Sequence, residues 1–461
     1  MLLNVLYEEE KFMLKNRKGI TLVALVITIV VLLILAGVGI NLVLGNNGII
    51  AKAKDAETKS AEASQNDLKG MNGLVSEMEG ALAGNGSTGS GSGNGGAGGS
   101  ETGTKVPEAA TAETAPYFPD NTFTKKEGTI DTGLVVQDVS GNEYVWVVVP
   151  KSLYNNINYN SNNEKKPSSS TDYANIEYCL QQYTATYRDG TDYSDTYEAD
   201  TANVGWFENE TAYNNLKNSM LKSVYENGGF YVGRYEAGIE TTGINRTSNT
   251  DKNLDGKYIM PSIAPVSKAD AYPYTYVTRT QAQNLVSNVN SGTKISSLMF
   301  GVQWDLVLAF MSKDTAKITS TDVLTENSTT IGNYFDSTFQ LSQTGKYAVC
   351  SNHSLSSTWN PSTTSTINFV DSSRNKIAQS SYGNGILVTT GTSEKNKVMN
   401  IYDATGNVWE WTLEKDPSPS IPCTPRGGSF RNTGSDFPAA DRSYDSTHNS
   451  DDYIGFRVSL F

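Results

Sequence analysis

The chain has 461 residues, of which 38% are hydrophobic, 10% aromatic and 18% charged, and its net charge is −13 at pH 7. That length supplies core for one large domain or two ordinary ones, and the acidic balance excludes a nucleic-acid partner held by a basic surface. With only His353 and His448, and with Cys179, Cys350 and Cys423 far apart, the chain builds no multi-histidine metal centre, cysteine zinc site or disulfide-dense scaffold.

Residues 20–44, ITLVALVITIVVLLILAGVGINLVL, carry no charge. As a helix they reach roughly 37 Å, enough to cross a bilayer. Lys11, Lys15, Arg17 and Lys18 precede them, so the positive-inside rule puts the N-terminus in the cytoplasm and the remainder outside. The apolar run is too long for a cleaved secretory signal. The string Lys15–Val38, KNRKG followed by ITLVALVITIVVLLILAGV, resembles the leader and first helix of type IV prepilins. That resemblance implies a leader over 1–19, cut by a prepilin peptidase after Gly19, with Ile20 as the methylated new N-terminus. It also implies a pilin-like transmembrane and extended helix over 20–82, with the bacterial membrane and other pilins as partners. Ala24 stands where pilins carry a Glu that pairs with a neighbouring N-terminal amine, so the resemblance does not extend to autonomous polymerisation. Leu68, Met71, Val75, Met78 and Leu82 recur at helical spacing and give a stripe for a partner helix.

Residues 83–116 read as a flexible linker. Gly84–Ser100, GNGSTGSGSGNGGAGGS, contains nothing that forms a core, and with its Thr/Ala/Glu-rich continuation it spans roughly 30 Å on average. Such a tether frees a distal domain from the orientation of its anchor.

The remainder, 117–461, mixes short β-rich runs with Asn/Ser/Thr/Gly-rich loops. Thr132–Pro150 reads as a hairpin turning at Ser140-Gly141-Asn142, and Gly228–Ile239 as a strand. Helical periodicity marks Thr280–Val289 and Gln303–Met311, while 155–172 and 351–366 read as polar surface insertions. The fold class is α+β.

YDATGNVWEWT (Tyr402–Thr412), RGGSF (Arg426–Phe430), AADRSY (Ala439–Tyr444) and the closing GFRVSLF succeed one another in the last sixty residues. In this order they resemble the formylglycine-generating enzyme, or sulfatase-modifying factor, family, whose domain is an elaborated C-type-lectin-like fold. EYVWVVVP, GGFYVGRYEAG and GVQWDLVLAFM fit the same template. As residue types, the tryptophans and glycines of these motifs read as scaffold. The family's enzymes hold copper on two cysteines shortly after GGS, but Phe430–Arg442 contains none, so no copper is expected. The resemblance also implies a structural calcium, with carboxylates from Asp403 and Glu410 and carbonyls from Gly406 and Val408.

Residues 431–453, RNTGSDFPAADRSYDSTHNSDDY, mix Tyr with small polar residues as antibody paratopes do. The layout resembles the variable proteins of diversity-generating retroelements. The expected contact residues are Arg431, Asn432, Ser435, Asp436, Tyr444, Asp445, His448, Asn449, Asp451, Asp452 and Tyr453. The resulting expectation is a membrane-anchored or pilus-associated adhesin that recognises a cell-surface protein or glycan without chemistry. The alternatives are a cysteine-oxidising enzyme of exported proteins and a minor structural pseudopilin.

Overall fold

The computed structural model describes residues 118–461, except 189–192, 241–260, 262, 338–339, 343, 362–366 and 369–384. The expected leader, apolar helix and linker, with Gly19 and Ile20, lie outside the described residues. Among the described residues no helix is long and apolar enough to cross a membrane.

The strands that build the main sheet and frame the candidate site are β1 (Thr124–Glu127), β2 (Val135–Gln137), β3 (Glu143–Val148), β4 (Gly229–Gly233), β5 (Ser296–Ser297), β6 (Lys346–Ser351), β7 (Gly385–Val388), β8 (Trp409–Lys415), β9 (Cys423–Arg426), β10 (Ile454–Phe456) and β11 (Ser459–Leu460). The helices are α1 (Tyr173–Tyr183), α2 (Glu210–Asn227), α3 (Arg279–Val286), α4 (Gly301–Met311) and α5 (Asp322–Thr325). The result is a mixed α and β structure.

The main sheet runs β1-β2-β3-β4-β11-β5, and every neighbouring pair is antiparallel. β3, EYVWVV, is buried along its whole length, which its β-branched and aromatic residues suit. The expected hairpin forms as β2 and β3, with Val135 opposite Val145. Its turn is closed by Asp138, whose Oδ1 accepts from Ser140 N at 2.9 Å and Asn142 N at 2.8 Å. The strand expected over Gly228–Ile239 ends at Gly233. There Arg234 turns aside to pair with Glu143, with Nη1 to Oε2 at 2.7 Å.

α4 lies at the centre of the core. Ten of its eleven residues are buried, and it packs on β3, β8 and α1. It is the helix expected over Gln303–Met311, begun two residues earlier at Gly301, and with nearly every position buried it keeps almost no polar face. α3 starts on a reciprocal cap between Thr278 and Gln281, one residue before the expected Thr280. α1 and α2 are absent from the sequence expectations, because their apolar positions are few among Asn, Gln, Lys and Tyr. Ile176, Cys179 and Leu180 are the buried positions of α1, and Tyr213, Met220, Leu221 and Val224 those of α2. The ends of α2 carry plain signals. Asn209 accepts from Ala212 N at 3.0 Å, and Gly228 at φ +74° closes the C-terminus.

The start of α4 carries an unusual charge. Asp195 is buried and accepts from Gly301 N at 2.6 Å and Val302 N at 3.0 Å. Helix N-termini favour the carboxylate, but burial, reinforced by Glu414 and Glu177, pushes its pKa up to about 7. The native state therefore holds this proton more tightly than the unfolded chain. Its contribution favours folding at low pH and is lost as pH rises from about 4 through about 7. Replacing Asp195 by Asn should flatten that slope. Urea unfolding at about pH 5 and about pH 8 should show wild type losing on the order of 2 kcal/mol more than Asp195→Asn.

Candidate functional site

The last sixty residues hang on a three-stranded sheet, β9-β8-β10. β8 pairs antiparallel with β9 (Glu410 opposite Arg426) and parallel with β10 (Trp409 opposite Ile454). Trp411 is buried and donates from Nε1 to Val277 O at 2.9 Å, so the indole fills the core with its one donor satisfied. The turn into β8 needs Gly406 at φ +71°, where a Cβ would sit 2.4 Å from Asn333 O. Asn407 comes next at φ +59° and its side chain is fully used. Its Oδ1 accepts from Asn333 Nδ2 at 2.9 Å and Val388 N at 3.1 Å, while Nδ2 donates to Glu236 and to Val388 O.

Behind this sheet lies a buried ionic network. Asp305 of α4 and Glu414 of β8 meet Arg426 of β9 and Arg442. Arg426 reaches Asp305 Oδ1 and Glu414 Oε2, each at 2.9 Å. Arg442 reaches Asp305 Oδ2 at 2.6 Å and Glu414 Oε1 at 2.9 Å. Arg188 adds a contact to Asp305 Oδ2 at 3.1 Å. Burial opposes ionisation of Glu414, yet Arg442 and Arg426 prevail and hold its carboxyl below the usual range. Spare guanidinium hydrogens go to backbone, Arg426 Nε to Asp441 O at 2.9 Å and Arg442 Nη1 to Tyr187 O at 2.8 Å.

A separate buried pair joins the ends of the segment 431–453. Arg431 Nη2 lies 2.6 Å from the Asp452 carboxylate and donates to His353 O at 3.1 Å. Its guanidinium also lies over Tyr453, 4.8 Å from the ring centroid, and near Phe430. Burial pushes the Asp452 carboxyl up to about 6 despite Arg431. The segment is thus clamped at both ends by Arg431–Asp452 and pinned between them by Arg442.

The expected contact residues divide. Ser435, Asp436, Tyr444 and His448 are exposed, Tyr444 at 60%. Asp445, Asn449, Asp451 and Tyr453 are half-buried, and Asn449 donates to Asp445 Oδ2. Arg431, Asn432 and Asp452 turn inward instead. A charged pair packed on aromatics holds the first and last, and Asn432 Oδ1 accepts from Ser429 N at 3.1 Å and Ser429 Oγ at 2.6 Å. Sequence reasoning did not place Tyr276, His353 and Cys350 at the site; they gather about Arg431 from distant parts of the chain, Cys350 from β6. Tyr276 sits at φ +57°, uncommon for a bulky residue, with its N–H on Asp451 O at 2.9 Å. No local sequence signal announces such a contact.

The calcium donor set does not assemble. Asp403 accepts from Gly391 N at 2.7 Å and Asn396 Nδ2 at 3.2 Å. Both oxygens of Glu410 are held by Arg457, the nearest contact being 2.6 Å. A carboxylate neutralised by a guanidinium and another occupied by N–H donors do not suit a hard dication. Gly406 and Val408 belong to the turn and the core. Among the described residues no group of three or more His, Cys, Asp or Glu could hold a metal ion. All three thiols are buried, and burial pushes Cys179 up to about 11, Cys423 up to about 12 and Cys350 upward.

Residues 346–460 match the family model of the sulfatase-modifying factor enzyme 1-like domain. The match runs from the start of β6 to the end of β11 and takes in the turn, the three-stranded sheet and the clamped segment. No curated protein matches the chain.

The division between buried anchors and exposed residues has a measurable consequence. Asp305→Asn leaves guanidiniums uncompensated in the core and should cost about 3–5 kcal/mol in urea unfolding. Tyr444→Ala removes an exposed side chain and should stay within about 0.5 kcal/mol of wild type. Equal effects would sink the division.

Proposed function

We propose that the described domain is a non-catalytic binding module whose contact surface is the exposed part of the segment 431–453. The observation that carries this reading is the Arg431–Asp452 clamp, with Arg442 pinned between its arms, which fixes the backbone while Ser435, Asp436, Tyr444 and His448 face solvent. A contact surface held in place before the ligand arrives loses little conformational freedom on binding, and an exposed tyrosine among small polar residues suits contact with a folded surface. The ligand class is a cell-surface protein or glycan. The absence of cysteine from 430–442, with every thiol buried, supports binding over oxidation of a substrate cysteine.

In this reading the charge-free run 20–44 anchors the domain in a bacterial membrane or, after processing between Gly19 and Ile20, in a pilus, and 83–116 is the tether. Exposed positions flanked by buried anchors also tolerate exchange without loss of the fold, which supports diversification of the segment between RGGSF and GFR.

The full chain reconstituted in detergent-free lipid nanodiscs should bind intact bacterial or host cells saturably. Tyr444→Ala and His448→Ala should each weaken binding, the pair together about tenfold, with the unfolding midpoint unchanged. Absence of saturable binding, or oxidation of a peptide cysteine by the copper-loaded chain, would overturn the reading. The thiols supply a second measurement. Cys179, Cys350 and Cys423 should resist an aromatic disulfide reagent in the native chain and react fully in denaturant.

A further inference from the structure

A cavity of 370 Å³ opens between the helical turn Ala185–Tyr187, the end of α5 and residues 438–442. None of the residues lining it is among the expected contact residues, although 438–442 lie within the clamped segment. We propose that this cavity binds a neutral, hydroxyl-rich ring, one pyranose unit of a glycan. The inference rests on the binding role proposed for that segment and names its ligand class.

The walls are tied to one another before any ligand arrives. Tyr193 Oη donates to Arg442 O at 3.0 Å, and Arg442 Nη1 donates to Tyr187 O at 2.8 Å. On the other side Ala440 N donates to Leu324 O at 2.9 Å, and Trp304 Nε1 to Ala439 O at 3.0 Å. The cavity is therefore pre-formed, and its size falls at the lower end of the roughly 300–1,000 Å³ of small-molecule sites.

Charge narrows the ligand. Among the described residues of the lining Arg442 is the one cation, and Glu414, Asp305 and Tyr187 O already occupy its guanidinium. A phosphate or carboxylate would find no uncommitted positive group there. A cation gains less than the carboxylates suggest: Glu326 is exposed and screened by water, and the network behind the lining, with the guanidiniums of Arg188, Arg426 and Arg442 against the carboxylates of Asp305 and Glu414, offsets one of the two charges that Glu326 and Asp441 bring. Thr186, Thr325, Glu326 and Asp441 bring hydroxyl and carboxylate groups to the lining, and Tyr187, Tyr193 and Pro438 line it beside them. Acceptors set around small apolar surfaces complement a ring whose O–H groups donate at its edge and whose C–H groups line its faces.

The test uses the full chain in a sugar-free detergent, with methyl glycosides of glucose, galactose, mannose and N-acetylglucosamine as probes and saturation-transfer NMR as the readout. Propylguanidinium and inorganic phosphate are the counter-probes. At least one glycoside should bind saturably. Glu326→Gln should weaken it about fivefold, Thr186→Trp should abolish it by filling the cavity, and both variants should keep the wild-type unfolding midpoint. Tyr444→Ala should leave glycoside binding unchanged. Binding of propylguanidinium or phosphate in place of a glycoside, binding insensitive to Thr186→Trp, or no glycoside bound at all would overturn the proposal. If cell binding then persists and still depends on Tyr444, the pocket inference alone has failed. If neither cells nor glycosides bind, the binding role beneath it has failed as well.

Discussion

Asp305 and Glu414 are buried against Arg426, Arg442 and Arg188, and the rest of the domain is arranged around that contact. It ties together the central helix α4, the strands β8 and β9, and the segment C-terminal to them. Moving such charges out of water costs several kcal/mol per ion, which ideal geometry only just offsets. The network is therefore poor as a source of stability and good as a specification of geometry. Apolar side chains of similar volume could slide, whereas a bidentate guanidinium accepts one arrangement. Its surplus positive charge also has an outlet. Of the five side chains Arg188 is the one with appreciable exposure, 15%, so water reaches the network on the side where screening is needed.

The same device recurs at smaller scale. Arg457 with Glu410 joins β10 and β11 to β8, and it donates to Gly233 O and Tyr402 O as well. Arg431 with Asp452 closes the ends of the segment 431–453. Each pair takes one partner from the three-stranded sheet or its flanking turns and the other from a loop that would otherwise be free to choose its path. The loops gain definition without regular hydrogen bonding, which explains how so much irregular backbone around β8 remains buried.

Much of the scaffold is legible in the sequence because its residues are chemically extreme. Trp304, Trp409 and Trp411 need a core, Gly406 and Asn407 need a left-handed turn, and alternating valines near Val145 need a sheet. The exposed half of the segment 431–453 is legible for the same reason, being rich in Tyr, Ser, Asn and Asp. Partnership at long range is not legible. Nothing local tells that Arg431 finds Asp452 and turns inward while Tyr444 remains outside. The carboxylates Asp403 and Glu410 suit a cation by type, and only the fold reveals that N–H donors and Arg457 already occupy them. α1 and α2 escape because Tyr and Asn dominate helices whose apolar stripe is narrow.

The place of β11 in the main sheet has a consequence for how the domain comes to exist. Residues 459–460 lie between strands at 229–233 and 296–297, so the sheet stays in two pieces until the far end of the described chain arrives. During synthesis β4 and β5 each wait with an unpaired edge, and closure depends on contacts across more than two hundred residues. Completion of the sheet thus waits for residues 459–460 and follows everything the domain has made before them. A polypeptide stopped short of it would carry the motifs of the clamped segment without a closed sheet behind them.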